Sequence, residues 1–308
     1  MAAVIFRNDP AFEDAILDRA SVAFGVFDGV HEGHRFIIGE AVNTAREEEV
    51  PSAVITFDID PDEIFAADRL KKLMTNETRI AKLAEIDVDA VVVLPFSREF
   101  AAQSPEDFLN ACFGSAVPSH IHIGSDFHFG RKAAGNVESL RAWGAKRGMT
   151  VHGHELVAEG GVPVTATRIR GLLSEGKARE AASLLGRPYT LAGTVRPGRG
   201  EGRDFGFATA NLEVPPLLLA IGEGVYACYA VVEGERYRAA VNVGIPATFA
   251  DTANQNIEVH ILDFDKDIYG QAIEVEFVEW LRAMRAFDSA DELIATVQAN
   301  IAWVRENL

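Results

Sequence analysis

His31 and His34 stand three residues apart in the segment Gly25-Val26-Phe27-Asp28-Gly29-Val30-His31-Glu32-Gly33-His34. An apolar run, Ser21 to Val26, leads into it, and a helical pattern starts where it ends. The expected local structure is a strand, a tight turn and a helix N-terminus. Unpaired backbone N–H groups and a partial positive charge make such a terminus favourable for phosphate. Gly25, Gly29 and Gly33 let the backbone bend and approach a ligand closely. Imidazoles hydrogen-bond phosphate oxygens and, when protonated, neutralise charge that builds during phosphoryl chemistry. A surface turn with two solvated histidines, or half of a metal site, would show the same residues.

Further segments carry chemistry-bearing side chains. Gly124-Ser125-Asp126-Phe127-His128-Phe129-Gly130 sets two aromatics between glycines, able to stack on a planar ring or to plug a core edge. Thr165-Ala166-Thr167-Arg168-Ile169-Arg170 opens a helix with hydroxyls and arginines, suited to a polyphosphate or to a plain N-cap. Gly198-Arg199-Gly200-Glu201-Gly202-Arg203 precedes Gly206-Phe207-Ala208-Thr209-Ala210-Asn211-Leu212. Backbone N–H groups of such a loop can wrap phosphates, and Thr and Asn oxygens can hold Mg²⁺. No Gly-Lys-Ser/Thr is present, so it is not a Walker loop. Glu258 alternates with apolar residues in Asn256-Ile257-Glu258-Val259-His260-Ile261, as a general base or a solvent-facing strand residue would. His120 with His122, and His152 with His154, each put two imidazoles on one strand face. With no nearby Cys and no clear third ligand, they read as structural or solvated. The Arg46-Glu47-Glu48-Glu49 run reads as a solvated helix end.

The elements that must position these residues fall into two regimes. Strands are expected at Ser21–Val26, Ala53–Phe57, Ala90–Leu94, His120–Ile123 and Thr150–Leu156. Helices alternate with them near His34–Glu49, Asn76–Ile86, Pro105–Phe113 and Val137–Arg147. That pace implies a doubly wound, mostly parallel sheet, whose ligands sit beyond the carboxyl ends of strands. Helices Thr167–Leu173 and Lys177–Leu185 bridge to the second regime. There Val225–Val232, Tyr237–Val243, Ile257–Asp263 and Ile273–Phe277 read as strands of an antiparallel barrel or sandwich. A capping box of Ser289 and Glu292 opens a closing helix, Leu293–Val304. The expected domains are residues 1–186 and 187–308.

Composition narrows the classes. The 308 residues suffice for two domains of roughly 150 residues with sizeable cores. With 48% hydrophobic and 24% charged residues the chain reads as a soluble globular protein. A net charge of −17 argues against a nucleic-acid-binding surface, while leaving room for a local nucleotide pocket. Cys112 and Cys228 suggest neither a disulfide framework nor a zinc site. The apolar run Met1–Phe6 lacks a basic region and is too short for a signal peptide, and no run approaches the roughly 20 residues of a membrane span. A reducing cytoplasm and no membrane partner are expected.

The order and spacing of these motifs resemble the prokaryotic bifunctional riboflavin kinase/FMN adenylyltransferases, or FAD synthetases, over about residues 15 to 305. The segments carrying the resemblance are Gly25–His34, Gly124–Gly130, Thr167–Arg170 and Leu185–Tyr189, then Gly206–Leu212, Asn242–Phe249, Glu258–Phe264 and Phe287–Ser289. It implies an N-terminal nucleotidyltransferase fold and a C-terminal six-stranded barrel kinase. The substrates it implies are riboflavin, FMN and ATP, with Mg²⁺ as cofactor; a homo-oligomer is compatible with it. Carried over, His31 and His34 contact ATP phosphates, and Thr167 and Arg168 close on them. Gly25, Phe27, Asp28 and Gly33 line the same nucleotide loop, and Asp126 and Phe127 lie beside the flavin. In the kinase half Gly198, Gly202 and Gly206 wrap phosphates, Thr209 and Asn211 hold Mg²⁺, and Glu258 is the base.

The chain also departs from the family pattern. Ile59-Asp60-Pro61 stands where Pro-His-Pro is usual, His128 where Arg is common, and Thr165-Ala166 in place of a serine pair. Ala208 replaces a proline, and Ile245-Pro246-Ala247 an Arg-Pro segment. Three other readings therefore stay open: one active domain only, a non-catalytic flavin or nucleotide binder, and a nucleotidyltransferase for another phosphate.

Overall fold

The computed structural model describes residues 1–9, 12–65, 70–197, 207–244 and 256–308, and these divide into two compact units, Met1–Ala166 and Thr167–Leu308. The first unit contains β1 (Ala3–Phe6), β2 (Ser21–Phe24), α1 (Glu32–Glu47), β3 (Ser52–Phe57), α2 (Pro61–Phe65), α3 (Asn76–Ala84) and β4 (Ala90–Leu94). It continues through α4 (Arg98–Ala101), α5 (Pro105–Phe113), β5 (His120–Gly124), α6 (Val137–Ala145), β6 (Thr150–His154) and the small hairpin β7 (Ala158–Glu159) and β8 (Val162–Pro163).

Six strands form one parallel sheet in the order β1-β4-β3-β2-β5-β6. β2, β3 and β4 are buried at every position, because helices cover both faces. One face packs Ile55, Val92, Leu94, Ile121 and Ile123 against Phe108, Phe113 and Trp143 of α5 and α6. The other packs Ala23, Val54 and Val91 against Ile37, Ile38 and Ala41 of α1 and Leu83 of α3. The order reverses at β2, so the loop after β2 and the loop after β5 leave neighbouring strands at the switch point. The edge strand β1, which carries no turn signal of its own, is an element the pattern reading did not identify.

Helix boundaries follow their caps. Ser104 caps α5, accepting from the Asp107 N–H, and the helix starts at the expected Pro105. α1 starts two residues before the expected His34 because His31 is its N-cap: the His31 Nδ1 accepts from the His34 N–H at 3.3 Å. β2 stops at Phe24, short of the expected Val26, because the chain turns through a left-handed Phe27 at φ 61°.

The second unit begins with α7 (Ala166–Ser174) and α8 (Ala178–Leu185), followed by β9 (Tyr189–Arg196), β10 (Ala210–Glu213), β11 (Gly224–Val232), β12 (Glu235–Gly244), β13 (Asn256–Ile261) and β14 (Ala272–Arg282). These strands close into an antiparallel barrel in the order β10-β13-β12-β11-β14-β9. Of the two expected architectures it is therefore the barrel. Alternation fills its interior: Ile257, Val259 and Ile261 of β13 are buried, while Asn256, Glu258 and His260 between them are half-buried on the outer face. A last helix, α9 (Ala290–Asn307), packs on β11 and β12. Ser289 caps it by accepting from the Glu292 N–H, but the Glu292 carboxylate accepts from the Asp288 N–H rather than from that of Ser289.

One buried guanidinium ties the first unit's strand ends together. Arg79 on α3 is 1% exposed. Its Nη1 donates to the Val26 carbonyl (2.7 Å) and Thr56 Oγ1 (2.6 Å), and its Nη2 to the Phe57 carbonyl (2.7 Å) and Asn76 Oδ1 (3.0 Å). Burial lowers the Arg79 pKa, and nearby Asp28, Glu63, Asp58 and Glu77 counter it. Replacing Arg79 with Met strands the Phe57 carbonyl, and the expected cost to the first unit is on the order of 3 kcal/mol. Chemical denaturation of the full chain checks this, with Arg79→Lys giving no rescue because it lacks the planar fork. A loss below about 1 kcal/mol would count against the brace.

Candidate active site

The loop after β2 gathers the histidine segment into one strained turn. Phe27 (φ 61°) and Val30 (φ 42°) both sit at positive φ, where a β-branched residue is rare, and Gly29 (φ 79°) shares the bend. Asp28, Gly29, Val30 and His31 are buried. The His31 and His34 rings stack with centroids 3.5 Å apart and planes at 18°, and Phe27 meets His34 edge-on at 5.3 Å. Gly33 makes that stack possible, since a Cβ there would lie 3.1 Å from the His31 ring and 3.3 Å from the Val164 carbonyl. Gly25 likewise leaves space for the Phe27 ring.

His34 is half-buried, and its Nδ1 is enclosed without a hydrogen-bond partner. Burial pushes its pKa well below 6.5, and the positive neighbours His31 and Arg79 push the same way. Its chemistry in the free protein is thus that of a neutral imidazole beside a helix N-terminus, donating an N–H rather than supplying a charge.

The loop after β5 lies on the adjacent strand. Asp126 is exposed, and a Cβ at Gly124 would meet its Oδ1 at 2.8 Å. Phe129 is core, stacked on Phe108 at 5.4 Å. Phe127 is half-buried, with Phe24 at 5.1 Å and Phe129 at 5.7 Å. Core plugging therefore accounts for Phe129, while Phe127 keeps part of its surface open.

Asp60, in place of the usual histidine, has structural work of its own. It is 3% exposed and forms an ion pair with Lys72, itself 1% exposed. Its Oδ1 also accepts from the Asp62 N–H at the start of α2.

In the second unit Thr167 and Arg168 open α7. Gly198, Gly202 and Gly206 lie outside the described residues, as do Ile245-Pro246-Ala247 and most of the Asn242–Phe249 segment. What is described centres on Glu258. Register places Asn211 of β10 and Asn242 of β12 on either side of it. The Asn256 amide donates to Glu258 Oε1 at 2.8 Å, and the Asn242 amide reaches Oε2 at 3.5 Å. Thr209 borders a cavity of about 180 Å³, with Ala208, Val195 and the Phe264–Tyr269 turn around it. A larger space of about 430 Å³ separates Phe207 and His260 from Gln298, Ile301 and Arg305 of α9. His260 donates from Nδ1 to the Ala208 carbonyl at 2.9 Å, fixing the Thr209 segment to β13. Sequence reasoning did not single out Arg79, Asn256 or His260. The alternation that flagged Glu258 also places Asn256 and His260 on its face.

A parallel sheet with a histidine-capped helix at its switch point, joined in one chain to a closed barrel bearing a carboxylate between two amides, defines a two-domain phosphoryl- and nucleotidyl-transferase class. Residues 13–168 match the FAD synthetase family and residues 185–308 the riboflavin kinase family. The chain is 34% identical to the bifunctional riboflavin kinase/FMN adenylyltransferase of Listeria monocytogenes, covering 96% of this chain and 94% of that protein. It is 33% identical to the protein of the same description from Escherichia coli K12, over 92% and 91%. This chain belongs to the bifunctional riboflavin kinase/FMN adenylyltransferase family. A solved structure titled as a macrolide-efflux protein from Streptococcus pneumoniae superposes with TM-score 0.83 at 28% identity, covering 99% of each chain. Among the described residues here, no helix is long and apolar enough to cross a membrane.

Two measurements test this geometry. Unfolded His34 takes up a proton below about pH 6.5, whereas the folded residue does so only at lower pH, so His34 costs stability as pH falls below 6.5. Wild type should lose more thermal stability than His34→Asn between about pH 7.5 and 5; equal losses would refute the assignment. Asp60→Ala, leaving the Lys72 ammonium buried alone, should cost about 3–5 kcal/mol, and Asp60→Leu combined with Lys72→Met should recover much of it.

Proposed function

We propose that the two reactions of this family, riboflavin to FMN and FMN to FAD, divide between residues 187–308 and residues 1–186, and that both use ATP. The observation that supports this most directly is the pairing, in one chain, of the stacked histidines at the N-terminus of α1 with the Glu258 row on the barrel. The boundary follows α8, although α8 packs against β9 and β14 and so groups with the barrel.

In the kinase step Glu258 accepts the proton of the riboflavin 5′-hydroxyl. The oxygen bonds to the γ-phosphorus of ATP, the bond to the bridging oxygen breaks, and ADP leaves. Asn256 and Asn242 hold the carboxylate in one orientation before the hydroxyl arrives. The slot between His260 and α9 is open on the carboxylate's own strand face, and it suits the flavin ring. Thr209 and Asn211 present only oxygen donors of the hard kind that Mg²⁺ takes, so these residues fit that ion; bound there, it supplies charge neutralisation to the polyphosphate.

In the adenylyl step an FMN phosphate oxygen bonds to the α-phosphorus of ATP, and pyrophosphate leaves. A phosphate needs no base to act as nucleophile, so positioning and charge stabilisation dominate. N–H groups of the first turn of α1 and the neutral His34 imidazole meet the phosphate oxygens. Gly25, Phe27, Asp28 and Gly33 shape that loop, and Asp126 and Phe127 stand in the loop after the neighbouring strand for the flavin. Thr167 and Arg168, at the start of α7, bring a hydroxyl and a guanidinium suited to phosphate oxygens. The setting proposed for both reactions is the cytoplasm.

Chromatographic separation of products separates the two halves. Glu258→Gln should lower FMN formation by about 10²–10⁴-fold and leave FAD formation from supplied FMN within about twofold. His31→Asn with His34→Asn should do the reverse. Undiminished riboflavin phosphorylation by Glu258→Gln would remove Glu258 as the base.

A further inference from the structure

Four of the chain's eight histidines meet in one ladder on the α1 face of β5 and β6. Sequence alone put His120 with His122 and His152 with His154; the register then sets His122 directly opposite His152. The rings stack: His122 on His152 at 4.4 Å and 14°, His122 on His154 at 5.1 Å and 11°, His120 on His152 at 5.2 Å and 23°. His120 Nδ1 lies 2.9 Å from His152 Nε2, and His122 Nδ1 lies 2.9 Å from His154 Nε2. One ring nitrogen from each of His120, His122 and His152 falls within 4.8 Å of the other two.

Two features separate this ladder from ordinary polar packing. His122 is 2% exposed, and its Nε2 is buried with no hydrogen-bond partner. A buried, unsatisfied ring nitrogen is costly, and an aliphatic side chain would fill the same place without that cost. In addition, Glu48 Oε1 lies 3.0 Å from His120 Nε2. That contact holds the Nε2 proton and turns the Nδ1 lone pair toward His152. A carboxylate fixing the far nitrogen of an imidazole is the arrangement that orients metal-binding histidines.

We propose that His120, His122 and His152 form a site for a first-row transition cation of the Zn²⁺ type, with Glu48 as a positioning residue for His120. Imidazole nitrogens suit such ions rather than Mg²⁺. Tetrahedral Zn²⁺ needs ligand nitrogens about 3.3 Å apart, so the rings must turn and close in on the ion. β6 is the outermost strand, and His152 is half-buried on it, which gives the ion a way in. Glu48 is the C-cap of α1, so the bound cation fastens the end of that helix and the edge strand to β5. This site is separate from the His31–His34 pair and takes no part in either transfer reaction.

The test uses the full chain, purified without a histidine tag and stripped with a chelator. Zn²⁺ is titrated against a chromogenic chelator, and Co²⁺ is followed by its visible ligand-field bands. One equivalent should bind with a tetrahedral Co²⁺ spectrum, and Zn²⁺ should raise the first unfolding temperature by several degrees. His152→Asn should abolish stoichiometric binding, and the exposed Glu48→Gln should weaken it about 10–100-fold. Both positions lie outside the deep core, so loss of folding does not confuse the result, which circular dichroism verifies. His31→Asn with His34→Asn should leave binding unchanged. Absence of a stoichiometric site, or full affinity in His152→Asn, overturns the proposal, as does loss of binding in the His31/His34 variant.

Discussion

The geometry of the first unit depends on a guanidinium placed where water cannot reach it. Arg79 reaches from α3 to the carboxyl ends of β2 and β3 and binds carbonyls that the sheet ladder leaves unpaired. Without such a donor, a chain leaving a parallel strand within the interior would carry orphaned carbonyls. The same group holds the first residues of the strained loop that displays His31 and His34. It also presses electrostatically on His34, helping to keep that imidazole neutral. Arg79 thus contributes both to the positioning of the candidate nucleotide site and, after burial and His31, to its protonation state.

The alternating regimes, most helix starts and the loops at the sheet's carboxyl edge were legible in the sequence, because apolar periodicity and caps are local. Pro105 after Ser104 fixes α5 without help from the rest of the chain. Arg79 was not legible, since a basic residue on a short amphipathic helix looks like surface until its partners arrive from residues 26, 56 and 57. β1 was missed for a related reason: four residues become a strand only through pairing with β4. In the barrel, alternation identified the face on which Glu258 sits. Its neighbours Asn211 and Asn242 follow from cross-strand register, which turn lengths and barrel closure decide.

Asp60 shows how a departure from a family pattern can be absorbed. An aspartate at the start of α2 is a natural N-cap, and its second oxygen finds Lys72 in the interior. At this position the carboxylate forms an internal pair, so the local fold is held by its own charges. The histidine pairs show the opposite relation. Each was bland within its own strand, and only the register made them a cluster.

The placement of β1 bears on how the sheet is assembled. Ala3 pairs with Ala90 and Phe6 with Val93, while β2 lies at the centre between β3 and β5. The earliest strand in the chain therefore has no partner until β4 exists, and closing so long a loop is entropically slow. A nucleus built from β2, α1 and β3 can form first from neighbours in sequence. Ala3–Phe6 then stays without its native partner until Ala90–Leu94 is in place.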